Sequence, residues 1–314
     1  PPHPTPQVPG LYGIDTRLLT KKIRDKGAIK AHIEFEDAVT LGGDTAASKF
    51  IDINARNLVA EVSTKTTKVY GRGNKHKVLA IDCGIKANII RSLVKRDCEL
   101  TVVPWDAPLK SLMAKSDGLF LSNGPGDPIM VQATINHIRE VMQGMKDGSM
   151  PLKPIFGICL GNQMLGLAAG AKTYKMPFGN RGQNQPVTNL LNGKAVITPQ
   201  NHGYALDVTD LPDDWVPLYQ NSNDKTNEGI MHKEFPWFTA QFHPEAKCGP
   251  SDTSYLFDEF IKVMDDPSVP VKTRLEEDNK MIFNGITLGQ DNSREALKEI
   301  GKPLTKVLLL GSGG

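Results

Sequence analysis

Between residues 77 and 161 the hydrophobic positions fall into a repeating rhythm. Short aliphatic or β-branched runs, KVLAIDCG (77–84), LTVVPW (100–105), GLFLSNGPGD (118–127) and PIFGICLG (154–161), each end in glycine, proline or acidic residues. Helix-compatible stretches separate them. Strands alternating with helical patterns predict a parallel sheet with crossover helices. Ligands collect beyond the carboxyl ends of such strands, where SNGPGD and CLGNQ fall. After Lys172 the pattern turns to strand and loop, through KAVITPQNHGYAL and GIMHKEFPWFTAQFHPEA, and SYLFDEFIKVM (254–264) reads as a closing helix.

The flanks differ. Residues 1 to about 10 are proline-rich and read as extended. In IDTRLLTKKIRDKG, Leu18, Leu19 and Ile23 stand at helical spacing, with a start signal at Asp15/Thr16 and a stop at Gly27. A loop-rich region follows to about residue 75 and ends in the polar YGRGNKHK, a domain boundary. Beyond the closing helix the chain is polar, with a short helical stretch SREALKEIG, and it finishes on KVLLLGSGG, an apolar strand running into a glycine turn. Such a strand makes sense when another domain follows, so the sequence reads as a segment of a longer polypeptide.

Charge narrows the partners. The chain has 37 basic and 35 acidic residues, a net charge of +2. No strong basic field argues for nucleic acid or an anionic membrane. Cys83, Cys98, Cys159 and Cys248 are scattered without a CxxC pair, so reduced thiols in an intracellular compartment and no metal site are expected. No apolar run approaches the ~20 residues of a membrane helix.

The chemistry centres on Gly157-Ile158-Cys159-Leu160-Gly161, which matches the G-x-S-x-G nucleophile elbow with sulfur in place of oxygen. The helix that follows aims its N-terminal N–H groups at the sulfur, favouring the thiolate. A thiolate needs a base. His243 in Gln241-Phe242-His243-Pro244-Glu245 sits at the end of the apolar run WFTAQF, and a turn at Pro244 lets Glu245 reach the imidazole. His202, in QNHGY, is the competing base. SNGPGD offers backbone N–H groups for an oxyanion, with the Leu160 N–H at the helix start. A phosphate cradle would need the Lys-Ser/Thr pair that this loop lacks. These residues specify a cysteine acyl-transfer enzyme without naming the acyl group.

FGICLGNQ, SNGPGDP, NRGQNQPV, TPQNHGYAL and QFHPE, in that order, resemble a class I (triad-type) glutamine amidotransferase. More narrowly, they resemble the glutaminase portion of carbamoyl-phosphate synthetase. PGLYGIDTRLLTKKIRDKG and LVAEVSTK resemble the end of that subunit's amino-terminal domain, and KVLLLGSGG the first strand of the synthetase region. GLAAGAKTYKM and QNHGYALD are most similar to the fused urea-cycle-type synthetases.

The resemblance implies an α/β, flavodoxin-like amidotransferase domain with a mixed, mainly parallel sheet over residues 76–266. Part of a smaller amino-terminal domain (1–75) precedes it, and a linker (267–305) and a truncated synthetase strand (306–314) follow. It implies hydrolysis of L-glutamine, with ammonia passing to a synthetase region, fused or separate, that uses ATP, Mg and bicarbonate. No cofactor is implied for this segment. By motif, Cys159 is the nucleophile, His243 the base and acid, and Glu245 the orienter. Gly124, Gly126 and Leu160 offer backbone contacts to glutamine or its oxyanion, Gln163 contacts the substrate, and Asn201, Gly203 and Tyr204 bind its amino-acid end. Asn162 stands where many relatives have His, a position that is not the family's base. Ammonia-dependent members carry serine as nucleophile, whereas Cys159 and Gln163 are both present here and imply glutamine use. The alternative from another class is a non-catalytic domain that stabilises the synthetase and tunes its use of ammonia. A different cysteine hydrolase on the same type of sheet is disfavoured by KVLLLGSGG. By resemblance alone, a mitochondrial location is favoured over a cytoplasmic one.

Overall fold

A computed structural model describes residues 12–31, 52–272 and 275. The proline-rich start, most of the linker with SREALKEIG, and KVLLLGSGG lie outside the described residues. In chain order the helices are α1 (Thr16–Lys26), α2 (Leu58–Val62), α3 (Ala87–Val94), α4 (Leu109–Leu112), α5 (Gln132–Lys146), α6 (Leu160–Ala169) and α7 (Tyr255–Asp265). The strands are β1 (Lys68–Tyr70), β2 (His76–Asp82), β3 (Cys98–Pro104), β4 (Gly118–Leu121), β5 (Ile155–Ile158), β6 (Lys172–Asn189), β7 (Ala195–Asp207), β8 (Trp215–Asn221), β9 (Asn227–His232) and β10 (Trp237–Ala240).

The strands form one sheet in the order β1-β3-β2-β4-β5-β10-β9-β8-β6-β7. Its central block, β3-β2-β4-β5-β10, is parallel throughout, and antiparallel strands extend it at both ends. Within the parallel block the strands follow the flavodoxin-like order 2-1-3-4-5, whose ligand crevice lies where the strand order reverses.

Alternation along each central strand feeds two cores. Leu79, Ile81, Leu119, Leu121 and Ile155 pack with Ile135, Ile138 and Val141 of α5 and with Met164 and Leu165 of α6. Val78, Ala80, Phe120, Phe156 and Ile158 pack with Ile89 and Leu93 of α3 and with Phe257, Phe260 and Val263 of α7. Successive strand residues point to opposite faces, so these strands, apolar at nearly every position, are covered on both sides, as a parallel sheet requires.

The loop-rich region holds elements the pattern left out, among them α2 and the edge strand β1. Both are short. Their order comes from neighbours: Asn57 caps α2 and donates to Met130 O, 3.1 Å away, and β1 pairs with β3. The α1 helix stops at Gly27, where a Cβ would fall 2.2 Å from Pro177 O of β6. Among the described residues no helix is long and apolar enough to cross a membrane.

Candidate active site

Four loops converge beyond the carboxyl ends of β2, β4, β5 and β10. The elbow after β5 is the tightest of them. Cys159 has φ +56° and ψ −103°, a region a non-glycine residue occupies only under constraint. The constraint is local packing: a Cβ on Gly157 would lie 2.6 Å from Gly161 O, and one on Gly161 would lie 2.2 Å from Leu121 O. Strand β5, helix α6 and strand β4 touch backbone to backbone, so both flanking positions need glycine. The Cys159 N–H donates to Ala240 O (2.8 Å), tying the elbow to β10. Helix α6 begins at Leu160, with its positive end at the cysteine.

His243 and Glu245 reach this sulfur from the loop after β10. The His243 N–H donates to Pro199 O (2.9 Å), which pins the loop to β7. Its imidazole Nδ1 lies 2.8 Å from Glu245 Oε1, and it lines the same cavity as Cys159, close enough for thiolate and imidazolium to act on each other. Both residues are buried. Burial disfavours the imidazolium, but the Cys159 thiolate and the Glu245 carboxylate outweigh it and raise His243 to about 9. Burial likewise pushes the Cys159 thiol up; the charge and hydrogen bond of His243, with the charge of His202, overcome it and hold the thiol below its ordinary value. The pair therefore favours thiolate with imidazolium. Burial would also raise Glu245, yet His243 and then Lys86 hold it below the ordinary carboxylate range.

In front of the sulfur lies a cavity of about 820 Å³. Gly124, Gly126, Gln163, Asn201, Gly203 and Tyr204 all line it together with Cys159 and His243. Two of the ten residues singled out from the sequence do not. Glu245 sits behind His243, and Leu160 turns its side chain into the core, leaving only its first-turn N–H to serve the site. The glycine loop presses on the elbow: a Cβ on Gly124 would lie 2.3 Å from Cys83 O and 2.6 Å from Leu160 Cδ2. One wall comes from the amino-terminal segment, through Lys30, Asp52 and Leu58.

His202 also faces the cavity, but its ring nitrogens are engaged. Nδ1 contacts Tyr204 O at 2.9 Å, and Nε2 contacts Gln200 Oε1 at 3.2 Å and Glu228 Oε1 at 3.5 Å. Burial disfavours its charged form, but Glu228, the charge of Cys159 and the Tyr204 carbonyl hold it above the ordinary imidazole range.

Sequence reasoning missed Lys86, whose Nζ lies 3.1 Å from His243 Nδ1. It missed Asn88, whose Nδ2 donates to Glu245 O, and Glu228. A signal for Lys86 existed: DCGIK follows β2, and a parallel strand's carboxyl end is where site residues gather. Among the described residues no group of His, Cys, Asp and Glu is arranged to hold a metal ion.

A strained cysteine elbow, a His–Glu pair and a glycine loop meet at one cavity on a flavodoxin-like sheet, an arrangement with the parts that nucleophilic acyl transfer requires. The family model for class-I glutamine amidotransferases matches residues 79–263, and the chain belongs to that family. Over 98% of its length it is 47% identical to the mitochondrial carbamoyl-phosphate synthase [ammonia] of Aquarana catesbeiana. It is 46% identical to the multifunctional protein CAD of Squalus acanthias and 44% identical to the multifunctional protein pyr1-3 of Dictyostelium discoideum, again over 98%. The chain spans 13–19% of the length of these relatives. A solved structure from Thermoplasma acidophilum, described as one subunit of a GMP synthase, superposes with a TM-score of 0.50 at 24% identity. That match covers 65% of this chain and 98% of the other, and it supports the fold.

Proposed function

We propose that this chain is the glutaminase portion of a carbamoyl-phosphate synthetase, hydrolysing L-glutamine to glutamate and ammonia. One observation carries the chemistry: Cys159, held at φ +56°, meets a His243 raised to about 9 by its two partners. The Cys159 thiolate attacks the side-chain carboxamide carbon, and the oxygen takes up the negative charge beside the Leu160 N–H and the Gly124–Gly126 loop. His243 donates its proton to the departing nitrogen, which leaves as ammonia and a γ-glutamyl thioester remains. His243 then takes a proton from water as the hydroxide adds to the thioester. Collapse of that second adduct releases glutamate and returns Cys159 to the thiolate.

Similarity to large fused synthetases supports a synthetase region in cis as the consumer of the ammonia. That region would use ATP, Mg and bicarbonate, and this segment would need no cofactor of its own. The names of the mitochondrial relatives support mitochondria over cytoplasm.

Those same relatives are named for ammonia, which favours a second reading, a domain that only supports its synthetase. An aligned nucleophile, base and orienter weigh against it. Glutamate release from glutamine, for wild type and Cys159→Ser, decides between them. Under the proposal, release falls by several orders of magnitude in the variant. Release that survives the change removes Cys159 from the mechanism, and no release in either protein favours the supporting role.

A further inference from the structure

Behind Gln163 runs a directed chain of buried hydrogen bonds that the triad does not use. The Ile230 N–H donates to Thr239 Oγ1 (2.8 Å). The Thr239 hydroxyl in turn lies 2.6 Å from Asn162 Oδ1 and donates to it, with Ile230 O a longer alternative at 3.1 Å. Asn162 Nδ2 donates to Gln241 Oε1 (2.9 Å). The same oxygen accepts from Gln163 Nε2 (3.1 Å), whose other N–H goes to Tyr204 O (2.8 Å). Thr239, Asn162 and Gln241 are fully buried, and Gln163 is 4% exposed.

The two ends of a carboxamide have nearly the same shape, so its neighbours choose which end points where. Here backbone groups at both ends bias each choice, the Ile230 N–H at Thr239 and the Tyr204 carbonyl at Gln163, and the shorter of the two contacts open to the Thr239 hydroxyl decides the rest. An N–H at Ile230 makes Thr239 an acceptor there, so the hydroxyl proton turns to Asn162 Oδ1. That orients the Asn162 NH₂ toward Gln241, which must answer with its oxygen. Gln163 can then meet Gln241 only as a donor. The arrangement leaves Gln241 Nε2 buried without a partner, a costly state for an amide. Flipping Gln241 would not relieve it, because its NH₂ would then face two donors. With both N–H groups of Gln163 committed, Oε1 is the atom it has left for the cavity it lines.

We propose that Gln241, fixed by Asn162 and Thr239, is a positioning residue that holds the Gln163 carboxamide oxygen toward the cavity as an acceptor for a substrate N–H group. The inference rests on glutamine being the substrate. The N–H group is either the carboxamide or the α-ammonium of glutamine. 4-Carbamoylbutanoate, which lacks the ammonium, and glutamate, which lacks the carboxamide, tell the two apart.

The test is steady-state kinetics of the intact protein with Gln241→Met, Gln163→Met, the double variant and Gln241→Glu. Gln241→Met should raise KM for glutamine by about tenfold, the loss of one well-placed hydrogen bond, with kcat little changed. Gln241→Glu keeps an oxygen for both donors and should recover most of the loss. The double variant should be no worse than Gln163→Met, since Gln241 acts only through Gln163. Asn162→Leu, near-isosteric and away from the cavity wall, should raise KM in the same sense and serves if Gln241→Met does not fold. An unchanged KM in Gln241→Met, or in Asn162→Leu where that variant stands in, would overturn the proposal, as would a double variant equal to the product of the singles. Binding is read separately, as protection of Cys159 from iodoacetamide by glutamine. A protein that binds glutamine without hydrolysing it sinks the proposed reaction, and the relay is then judged on the same variants by protection. If glutamine neither protects nor is hydrolysed, both fall.

Discussion

Lys86 Nζ stands 3.2 Å from Glu245 Oε1, so the buried carboxylate that orients His243 is shared between two cations. Lys86 is 45% exposed at its side chain and Glu245 only 1%. The lysine thus brings charge from the rim to a carboxylate that water does not reach. It also faces the imidazole at 3.1 Å, where its charge opposes protonation of His243. Lys86→Met should therefore leave His243 as the sole neutraliser of Glu245 and move the alkaline limb of kcat/KM to higher pH. The loss of rate should stay under about tenfold, as for a partly exposed pair. A limb that stays in place or moves down would take Lys86 out of the electrostatics of the triad.

The wild-type pH profile follows from the same pair. Under the proposed reaction the rate should rise as Cys159 ionises, at a pH below the ordinary thiol range. It should fall as the pH passes about 9, where His243 would lose the proton needed by the leaving nitrogen. Glu245→Gln removes one of the partners that raise His243, so the alkaline limb should shift down. Turnover should drop by up to about 10⁴-fold, the range seen when a triad carboxylate becomes an amide. An alkaline limb that stays in place would contradict the coupling.

Gly124→Ala tests the glycine loop. Its Cβ would fall 2.3 Å from a backbone oxygen, Cys83 O, and 2.6 Å from Leu160 Cδ2. The loop has to move away from the elbow, and its N–H groups move with it. Glutamate release should fall by about 10²–10³-fold, the usual loss for one oxyanion donor, while iodoacetamide still finds an activated Cys159. Near-normal turnover would place the oxyanion elsewhere.

Phe156, three residues before the nucleophile, sits among Phe238 at 4.5 Å, Phe120 at 5.4 Å, Phe260 at 5.7 Å and Phe257 at 5.8 Å between ring centroids. Phe156→Ala should cost about 3–5 kcal/mol of stability, read as a lower denaturation midpoint with an unchanged slope. A loss under about 1 kcal/mol would mean that the aromatic cluster closes over the gap.

Much of this site was legible because chemistry here is tied to local backbone. The elbow needs glycine at 157 and 161 and a special conformation at 159, and all three are visible as a spacing. His243 and Glu245 are two residues apart, so their contact is almost a property of the turn at Pro244. Lys86 was harder. It is 157 residues from His243, and only the parallel pairing of β2 with β4, β4 with β5 and β5 with β10 brings them to one edge. Gln241 lies in the QFHPE motif, but its part in the site is set by which oxygen faces which nitrogen, and the sequence does not carry that.

By itself the sequence determined the alternating strand and helix order, the apolar strands that demand cover on both faces, and the glycine-flanked elbow at Cys159, with His243 and His202 both on offer as its partner. These follow from periodicity and short-range geometry, which few residues fix. Tertiary structure alone decided which histidine meets the sulfur, that Lys86 shares the triad carboxylate, and how the Gln163 amide points. Each of those is a choice between near-equal local options. Partners forty or more residues away settle it, through charge and hydrogen-bond polarity in a buried site where an unmatched donor is costly.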